Sequence, residues 1–150
     1  MLPTLAVSGD FLVIAKWHRR GRGIVAGDVI SYAHPLFPGT VAVKRVVGMP
    51  GDFVVSTWEP SVLLMQQEFS RDEASSDEGD GDQKHEGKRM IQIPEGHCWV
   101  LGDNLAESRD SRFFGPVPLA LVKGKVLGRL FPWKERKWIN NGFEEAEGLD

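Results

Sequence analysis

Val41-Ala42-Val43-Lys44-Arg45-Val46-Val47-Gly48-Met49-Pro50-Gly51-Asp52 is the stretch that decides the fold of this 150-residue chain. Its β-branched residues predict a strand, and Pro50-Gly51-Asp52 predicts the turn that ends it. Because side chains alternate across a strand, Ala42, Lys44 and Val46 share one face. A lysine on an apolar face loses hydration, which lowers its pKa and favours a neutral amine that can accept a proton from a hydroxyl. The same pattern also fits a lysine that reaches solvent past the edge of a sheet.

Short β-like runs of the same kind occur along the whole chain, separated by turn signals rich in glycine, proline and aspartate. The other predicted strands are residues 11–16, 28–32, 53–56, 62–65, 90–93, 98–101 and 122–127. A helical period is hard to find, although residues 118–121 fit one helical turn. The rhythm of short strands predicts a mostly β, barrel-type or sandwich fold.

The composition is that of one ordinary globular domain, with 41% apolar and 26% charged residues. The net charge of −3 gives no indication of nucleic acid as a partner. A single cysteine, Cys98, has no partner for an internal disulfide and sits in an apolar run, so we expect it to be buried. No apolar stretch is long enough to span a membrane, and the first residues do not fit a signal peptide. The histidines lack the spacing of zinc ligands, so we expect no metal and no cofactor.

An acidic segment interrupts the strands at about residues 66–89. Between Glu68 and Arg89 there are eight acidic and four basic residues, with little apolar content. Such composition cannot bury a core and predicts a flexible surface insertion. It is either a long solvated loop or an acidic docking segment for a partner. We expect one domain over residues 1–143 and an acidic tail over residues 144–150.

A second polar segment, residues 102–112, is dense in side chains that form hydrogen bonds. Ser108, Asp110 and Arg112 are two positions apart, so in an extended loop they project to one side. Asp110 and Arg112 can pair and stiffen the loop, and Ser108 can offer its hydroxyl to a lysine amine. The residues alone also fit a polar surface turn with a weak ion pair at its rim.

Four segments resemble, in order, the boxes of the type I signal peptidases. They are residues 1–5, 27–30, 44–52 and the polar segment that runs from Gly102 through Ser108, Asp110 and Arg112 to Gly115. Residues 93–104 and 137–141 are more similar still to the mitochondrial inner membrane branch of that family, the inner membrane peptidases. The resemblance implies a mostly β fold of the signal-peptidase type and a serine endopeptidase that uses a Ser/Lys dyad.

The resemblance also implies a role for each matching residue. Lys44 matches the general base, and Ser108 matches the serine that forms a hydrogen bond with the base. The remaining matches support the site: Asp110 and Arg112 as an ion pair, Asp103 and Asn104 in the same turn, and Arg45 beside the base. The turn that presents the nucleophile and contacts substrate matches Met1, Leu2, Pro3 and Thr4.

In this family the nucleophilic serine directly precedes the position of Met1, and an oxyanion-supporting residue and a membrane anchor lie further upstream. We therefore expect the chain as given to fold but to be inactive, and we do not expect Ser8 to replace the nucleophile. The resemblance implies that the complete enzyme removes sorting peptides from precursor proteins of the mitochondrial inner membrane and intermembrane space. It implies location in the inner membrane, facing the intermembrane space, with a second peptidase subunit as partner. The alternative is a non-catalytic β domain, an inactive paralogue that binds peptide or a partner subunit.

Overall fold

Antiparallel strands form most of the protein in the computed structural model, which describes residues 4–5, 10–56, 88–131, 133–141 and 143. Within these residues the strands are β1 Phe11–Ala15, β2 Val29–Ala33, β3 Val41–Gly48, β4 Phe53–Ser56, β5 Arg89–Gln92, β6 His97–Leu101, β7 Val117–Pro118, β8 Val122–Phe131 and β9 Lys137–Trp138. The prediction of a mostly β fold is confirmed. The predicted strand at 62–65, most of the acidic insertion and the acidic tail lie outside the described residues.

Seven of these strands form one sheet, in the order β1-β8-β2-β3-β6-β7, with β9 paired to β8. Strands β4 and β5 form a separate two-stranded ribbon. Strand β3 lies between β2 and β6, so that Lys44 is opposite Ile30 and Arg45 is opposite Leu101. The sheet thus places the two cationic side chains of β3 next to the loop that follows β6.

The core lies against β2, β3, β6 and β8, whose inward side chains are apolar. The buried residues that pack together are Ile24, Ile30, Tyr32, Val46, Cys98, Val100, Phe114, Val117 and Val122. Strand β8 shows the alternation most clearly, because Val122, Gly124, Val126 and Gly128 are buried while the residues between them are less so. Cys98 is fully buried, as predicted, and burial raises the pKa of its thiol to about 12.

The structure corrects two predictions of local structure. The polar segment 102–112 is not extended throughout, since it ends in a short helix, α1 Ser111–Phe114, that begins after Asp110. The predicted helical turn at residues 118–121 is present as a 3-10 turn, Leu119–Leu121, and only Pro118 belongs to β7. Arg89, predicted to end the insertion, is the first residue of β5. Strand β9 was not predicted, because two residues are too few to show a period.

Candidate active site

Lys44 is the centre of the candidate site. Its Nζ donates a hydrogen bond of 2.7 Å to Oγ of Ser108, a residue that is only 8% exposed. Burial lowers the pKa of Lys44, and the positive charge of Arg112 lowers it further, against the opposing effect of the carboxylates of Asp110 and Asp103. The amine is therefore more often neutral than that of an exposed lysine at the same pH.

Asp110 organises the loop beneath Ser108. Its fully buried carboxylate accepts hydrogen bonds from the backbone N–H of Gly102 at 3.0 Å and of Arg112 at 3.2 Å. The guanidinium of Arg112 donates to both carboxylate oxygens, at 2.8 and 3.0 Å. Burial opposes ionisation of Asp110, but the hydrogen bonds from Arg112, Gly102 and Ser108 outweigh it and lower its pKa. Asp110 is thus a buried anion that caps α1 and fixes the loop at Gly102.

Arg112 also binds the part of the loop that precedes Asp110. Its Nη2 also donates to the carbonyl oxygens of Leu105, at 2.7 Å, and Ser108, at 3.3 Å. One guanidinium therefore contacts the loop at three residues, which limits the positions that the Ser108 hydroxyl can take relative to Lys44.

Asp103 and Arg45 form a second ion pair on the opposite side of Lys44. Arg45 donates through Nε and Nη2 to the two oxygens of Asp103, at 3.0 and 3.1 Å, and through Nη1 to the carbonyl oxygen of Gly27, at 2.8 Å. The hydroxyl of Thr4 donates to the same carboxylate. Burial raises the pKa of Asp103, but the hydrogen bonds from Arg45 and Thr4 outweigh it and the pKa is lowered. This pair joins β3, the loop after β6 and the N-terminal part of the chain.

The remaining residues predicted for the site are less informative. Asn104 donates a long hydrogen bond of 3.4 Å to Glu107, within the turn that follows Asp103. Met1, Leu2 and Pro3 lie outside the described residues. Of the predicted N-terminal turn, only Thr4 can be placed, and it lies at Asp103.

Gly102 is a functional position to which sequence reasoning assigned no role of its own. A Cβ atom there would lie 2.5 Å from Cβ of Ser108 and 3.2 Å from Nζ of Lys44. The absence of a side chain therefore makes the contact between Lys44 and Ser108 possible. The only signal in the sequence is a glycine at the end of a strand, which also fits an ordinary turn.

Strand β3 offers a partly unpaired edge beside Lys44. In the register of the described strands, β3 pairs with β2 along residues 41–45, whereas its pairing with β6 begins only at Arg45. Val41, which is 58% exposed, and Val43 precede Lys44 on this edge. An extended peptide can add to such an edge through backbone hydrogen bonds. Leu5 is buried and offers no surface to such a peptide.

The arrangement is suited to proton transfer by an amine. A partly buried lysine with a lowered pKa, oriented by one serine hydroxyl, resembles the activated bases of hydrolases that form covalent intermediates. In the described part of the chain, no three His, Cys, Asp or Glu residues are grouped so that they can hold a metal ion.

Comparison with known proteins identifies the family. A model of the signal peptidase family, peptidase S26, matches residues 1–131. The chain belongs to this family. The resemblance seen in the four sequence boxes is thereby confirmed, since all four lie within residues 1–131.

Signal peptidase relatives from several eukaryotes match most of the chain. Mitochondrial inner membrane protease subunit 1 of Saccharomyces cerevisiae is 35% identical over 98% of this chain and 77% of its own length. The subunit 1 of Schizosaccharomyces pombe is 36% identical over 94% of this chain and 73% of its own length. Mitochondrial inner membrane protease subunit 2 of Danio rerio is 28% identical over 88% of this chain and 60% of its own length.

Among solved structures, a signal peptidase I from Enterococcus faecalis V583 matches 68% of this chain and 95% of its own. The TM-score is 0.44 and the sequence identity is 24%. The described residues contain no helix that is both long and apolar enough to cross a membrane.

Proposed function

We propose that this protein is a serine endopeptidase in which Lys44 is the general base, and that it removes sorting peptides from precursor proteins. The observation that carries the proposal is the position of the partly buried Lys44 amine, 2.7 Å from the buried Ser108 hydroxyl, with a lowered pKa. A surface lysine that serves only solubility gains nothing from burial, since desolvation of its charge is unfavourable.

In the proposed mechanism Ser108 orients the base. The amine donates one hydrogen to Ser108, and its lone pair is then free to accept a proton from a second hydroxyl. Ser108 itself is only 8% exposed and lies against Gly102, so an incoming peptide carbonyl has little access to it. We therefore assign Ser108 as a positioning residue and not as the nucleophile.

The nucleophile in this proposal is the serine that the family carries directly before the position of Met1. It is four residues from Thr4, which the structure ties to Asp103, and four residues of chain reach at most about 14 Å. The serine gives its proton to Lys44 and attacks the scissile carbonyl. The oxyanion is stabilised by hydrogen-bond donors, and protonated Lys44 gives its proton to the amine as the peptide bond breaks. Neutral Lys44 then takes a proton from water, which hydrolyses the acyl-enzyme and returns the serine hydroxyl.

The substrate in this proposal is an extended segment of a precursor protein. It adds to the edge of β3 at residues 41–43, so that its scissile bond approaches the next residue, Lys44. Because Val41 and Val43 are apolar, this edge favours an uncharged substrate segment before the scissile bond.

We also propose the setting of the reaction. The named relatives are mitochondrial inner membrane proteases, and they include a subunit 1 and a subunit 2. By this similarity the protein acts at the mitochondrial inner membrane, on the side of the intermembrane space, together with a second peptidase subunit.

The test is cleavage of a fluorogenic peptide that spans a sorting-peptide junction, by the protein in the form that its own cells make. Lys44→Met removes the amine while it keeps the apolar stem, so we expect a loss of at least about a thousandfold in kcat with the fold retained. Lys123→Met is the matched control, since Lys123 is an exposed lysine of β8 and is expected to keep full activity.

Two further variants separate the roles of the serines. Ser108→Ala is expected to retain some activity, whereas alanine at the serine before Met1 is expected to retain none. Full activity of Lys44→Met would refute the proposal. An inactive parent protein that still binds the peptide would favour the non-catalytic β domain instead.

A further inference from the structure

The segment Lys137-Trp138-Ile139-Asn140-Asn141 resembles the family but has no part in the chemistry derived so far. The structure gives its last residue a specific place. Strand β9 pairs with β8, and the backbone N–H of Ile139 donates to the carbonyl oxygen of Leu127 at 2.9 Å. Asn141 then enters the protein and is only 7% exposed.

The carboxamide of Asn141 is bound from both ends. Its Nδ2 donates to the carbonyl oxygen of Ala26 at 2.8 Å and to Asp28 Oδ1 at 3.3 Å. Its Oδ1 accepts from the backbone N–H of Phe143 at 2.9 Å. The two kinds of contact define which end of the amide is oxygen and which is nitrogen. Asn141 is therefore a specific brace on the turn that precedes β2.

This turn has no room for anything except glycine at its centre. Gly27 has φ = +96°, a conformation that favours glycine, and a Cβ atom there would lie 2.5 Å from Cγ of Asn141. Asp28 is buried and is bound by Lys125 at 2.7 Å and by the backbone N–H of Val25 at 3.1 Å. The amide of Asn141 thus fills the space that a side chain at Gly27 would take.

The same turn holds one of the cations of the candidate site. The carbonyl oxygen of Gly27 accepts from Nη1 of Arg45 at 2.8 Å, while the other nitrogens of Arg45 pair with Asp103. Asp103 accepts from Thr4 and directly follows Gly102, whose missing side chain leaves room for the Lys44 amine. Hydrogen bonds and the backbone of the turn at residues 26–28 therefore connect the C-terminal segment with Thr4.

We infer that Asn141 is a positioning residue for this site, which acts through Gly27 and Arg45 on the carboxylate of Asp103. Without its amide, the turn loses its side-chain contacts at Ala26 and Asp28, so the carbonyl of Gly27 shifts and its hydrogen bond with the guanidinium of Arg45 weakens. Asp103 then no longer keeps Thr4 and the start of the loop at Gly102 in one position. The inference rests on the proposed function, because its effect is expressed in the rate of the reaction.

The first experiment compares Asn141→Ala with Asn140→Ala, the exposed neighbour, in the same peptide-cleavage assay and well below the melting temperature of either variant. Asn141→Ala is expected to lower kcat about tenfold, since small misplacements of reacting groups have large effects on rate, and to change KM less than about twofold. Asn140→Ala is expected to match the parent.

The second experiment asks whether the effect passes through Arg45. Arg45→Lys keeps the charge but cannot contact Gly27 and Asp103 together, so Asn141→Ala should cause little further loss in that background. A full tenfold loss in the Arg45→Lys background would overturn the inference, as would an unchanged kcat of Asn141→Ala in the parent.

An NMR measurement tests the coupling between Asn141 and Arg45 without a cleavage assay. The Nε–H of Arg45 donates to Asp103 at 3.0 Å, and its ¹⁵N-correlated signal should shift and exchange faster with solvent in Asn141→Ala. An unchanged signal would overturn the inference even if the variant were slower. If Lys44→Met retains activity, the proposed function is wrong. If Lys44→Met is inactive and Asn141→Ala has the kcat of the parent, only the inference about Asn141 is wrong.

Discussion

Asp110→Ala should destabilise the protein by about 3 kcal/mol at pH 7, because this fully buried carboxylate accepts four N–H groups. Loss of the cap on α1 costs about 1 kcal/mol. The buried N–H of Gly102 loses its acceptor, which costs about 1 to 2 kcal/mol. The ion pair with Arg112 adds less, since the guanidinium is partly exposed and water can replace the carboxylate.

The measurement is urea unfolding followed by circular dichroism, on the parent and the variant. For a chain of this length, a loss of 3 kcal/mol corresponds to a fall of about 10 °C in melting temperature. Asp52→Ala is the matched control, because Asp52 is an exposed aspartate that accepts one backbone hydrogen bond, from Met49 at 2.8 Å. It is expected to cost less than about 1 kcal/mol.

The contribution of Asp110 to the free energy of unfolding should depend on pH. The pKa of Asp110 is lowered in the folded protein, so its contribution to stability is present above the ordinary aspartate value of about 3.9. It is lost as the pH falls below that value and through the lower folded pKa, where the parent and Asp110→Ala should converge. If Asp110→Ala at pH 7 lost no more stability than Asp52→Ala, the view of Asp110 as the buried anchor of the loop would be wrong.

Three further predictions concern the surroundings of the site. Gly102→Ala should abolish cleavage and destabilise the fold by about 1 to 3 kcal/mol, because its Cβ would collide with the serine that Lys44 contacts. Gly39→Ala is the control for activity, since its Cβ would meet no atom within 4 Å and its φ of +80° adds only backbone strain away from the site. Reductive ¹³C-methylation and NMR titration should show Lys44 deprotonating below the ordinary lysine pKa of 10.5, because burial lowers its pKa. Deprotonation of Lys44 at or above that ordinary value would contradict this. Tyr32→Phe should raise the free energy of unfolding by about 1 kcal/mol, since its buried hydroxyl has no partner among the described residues; destabilisation would mean that the hydroxyl is paired.

Much of the fold could be predicted from local sequence patterns. The strand β3 was predicted at 41–47 and is found at Val41–Gly48, and β4 was predicted with its observed bounds. Such strands are readable because the alternation of side chains depends on neighbouring residues only. The helix α1 escaped prediction because it is four residues long and its start depends on a cap, Asp110, that also fits a loop.

The candidate site could be predicted only in part from such local patterns. The sequence placed a lysine on an apolar strand and a serine in a polar loop, but these residues are 64 positions apart. Their approach to 2.7 Å requires β3 and β6 to pair in one register and requires a glycine at 102 to leave space between them. A different register would give the same strands and no contact.

The sequence by itself determined the mostly β character of this protein, the family to which it belongs, and which residue types are available for chemistry. These properties depend on residues that are close in the chain or on similarity along it. The tertiary structure alone decided the contact between Lys44 and Ser108, the space that Gly102 leaves for it, and the hydrogen bonds of Asn141 to Ala26 and Asp28. Those contacts join residues far apart in the chain, and their geometry follows from the packing of the whole sheet, which no local pattern encodes.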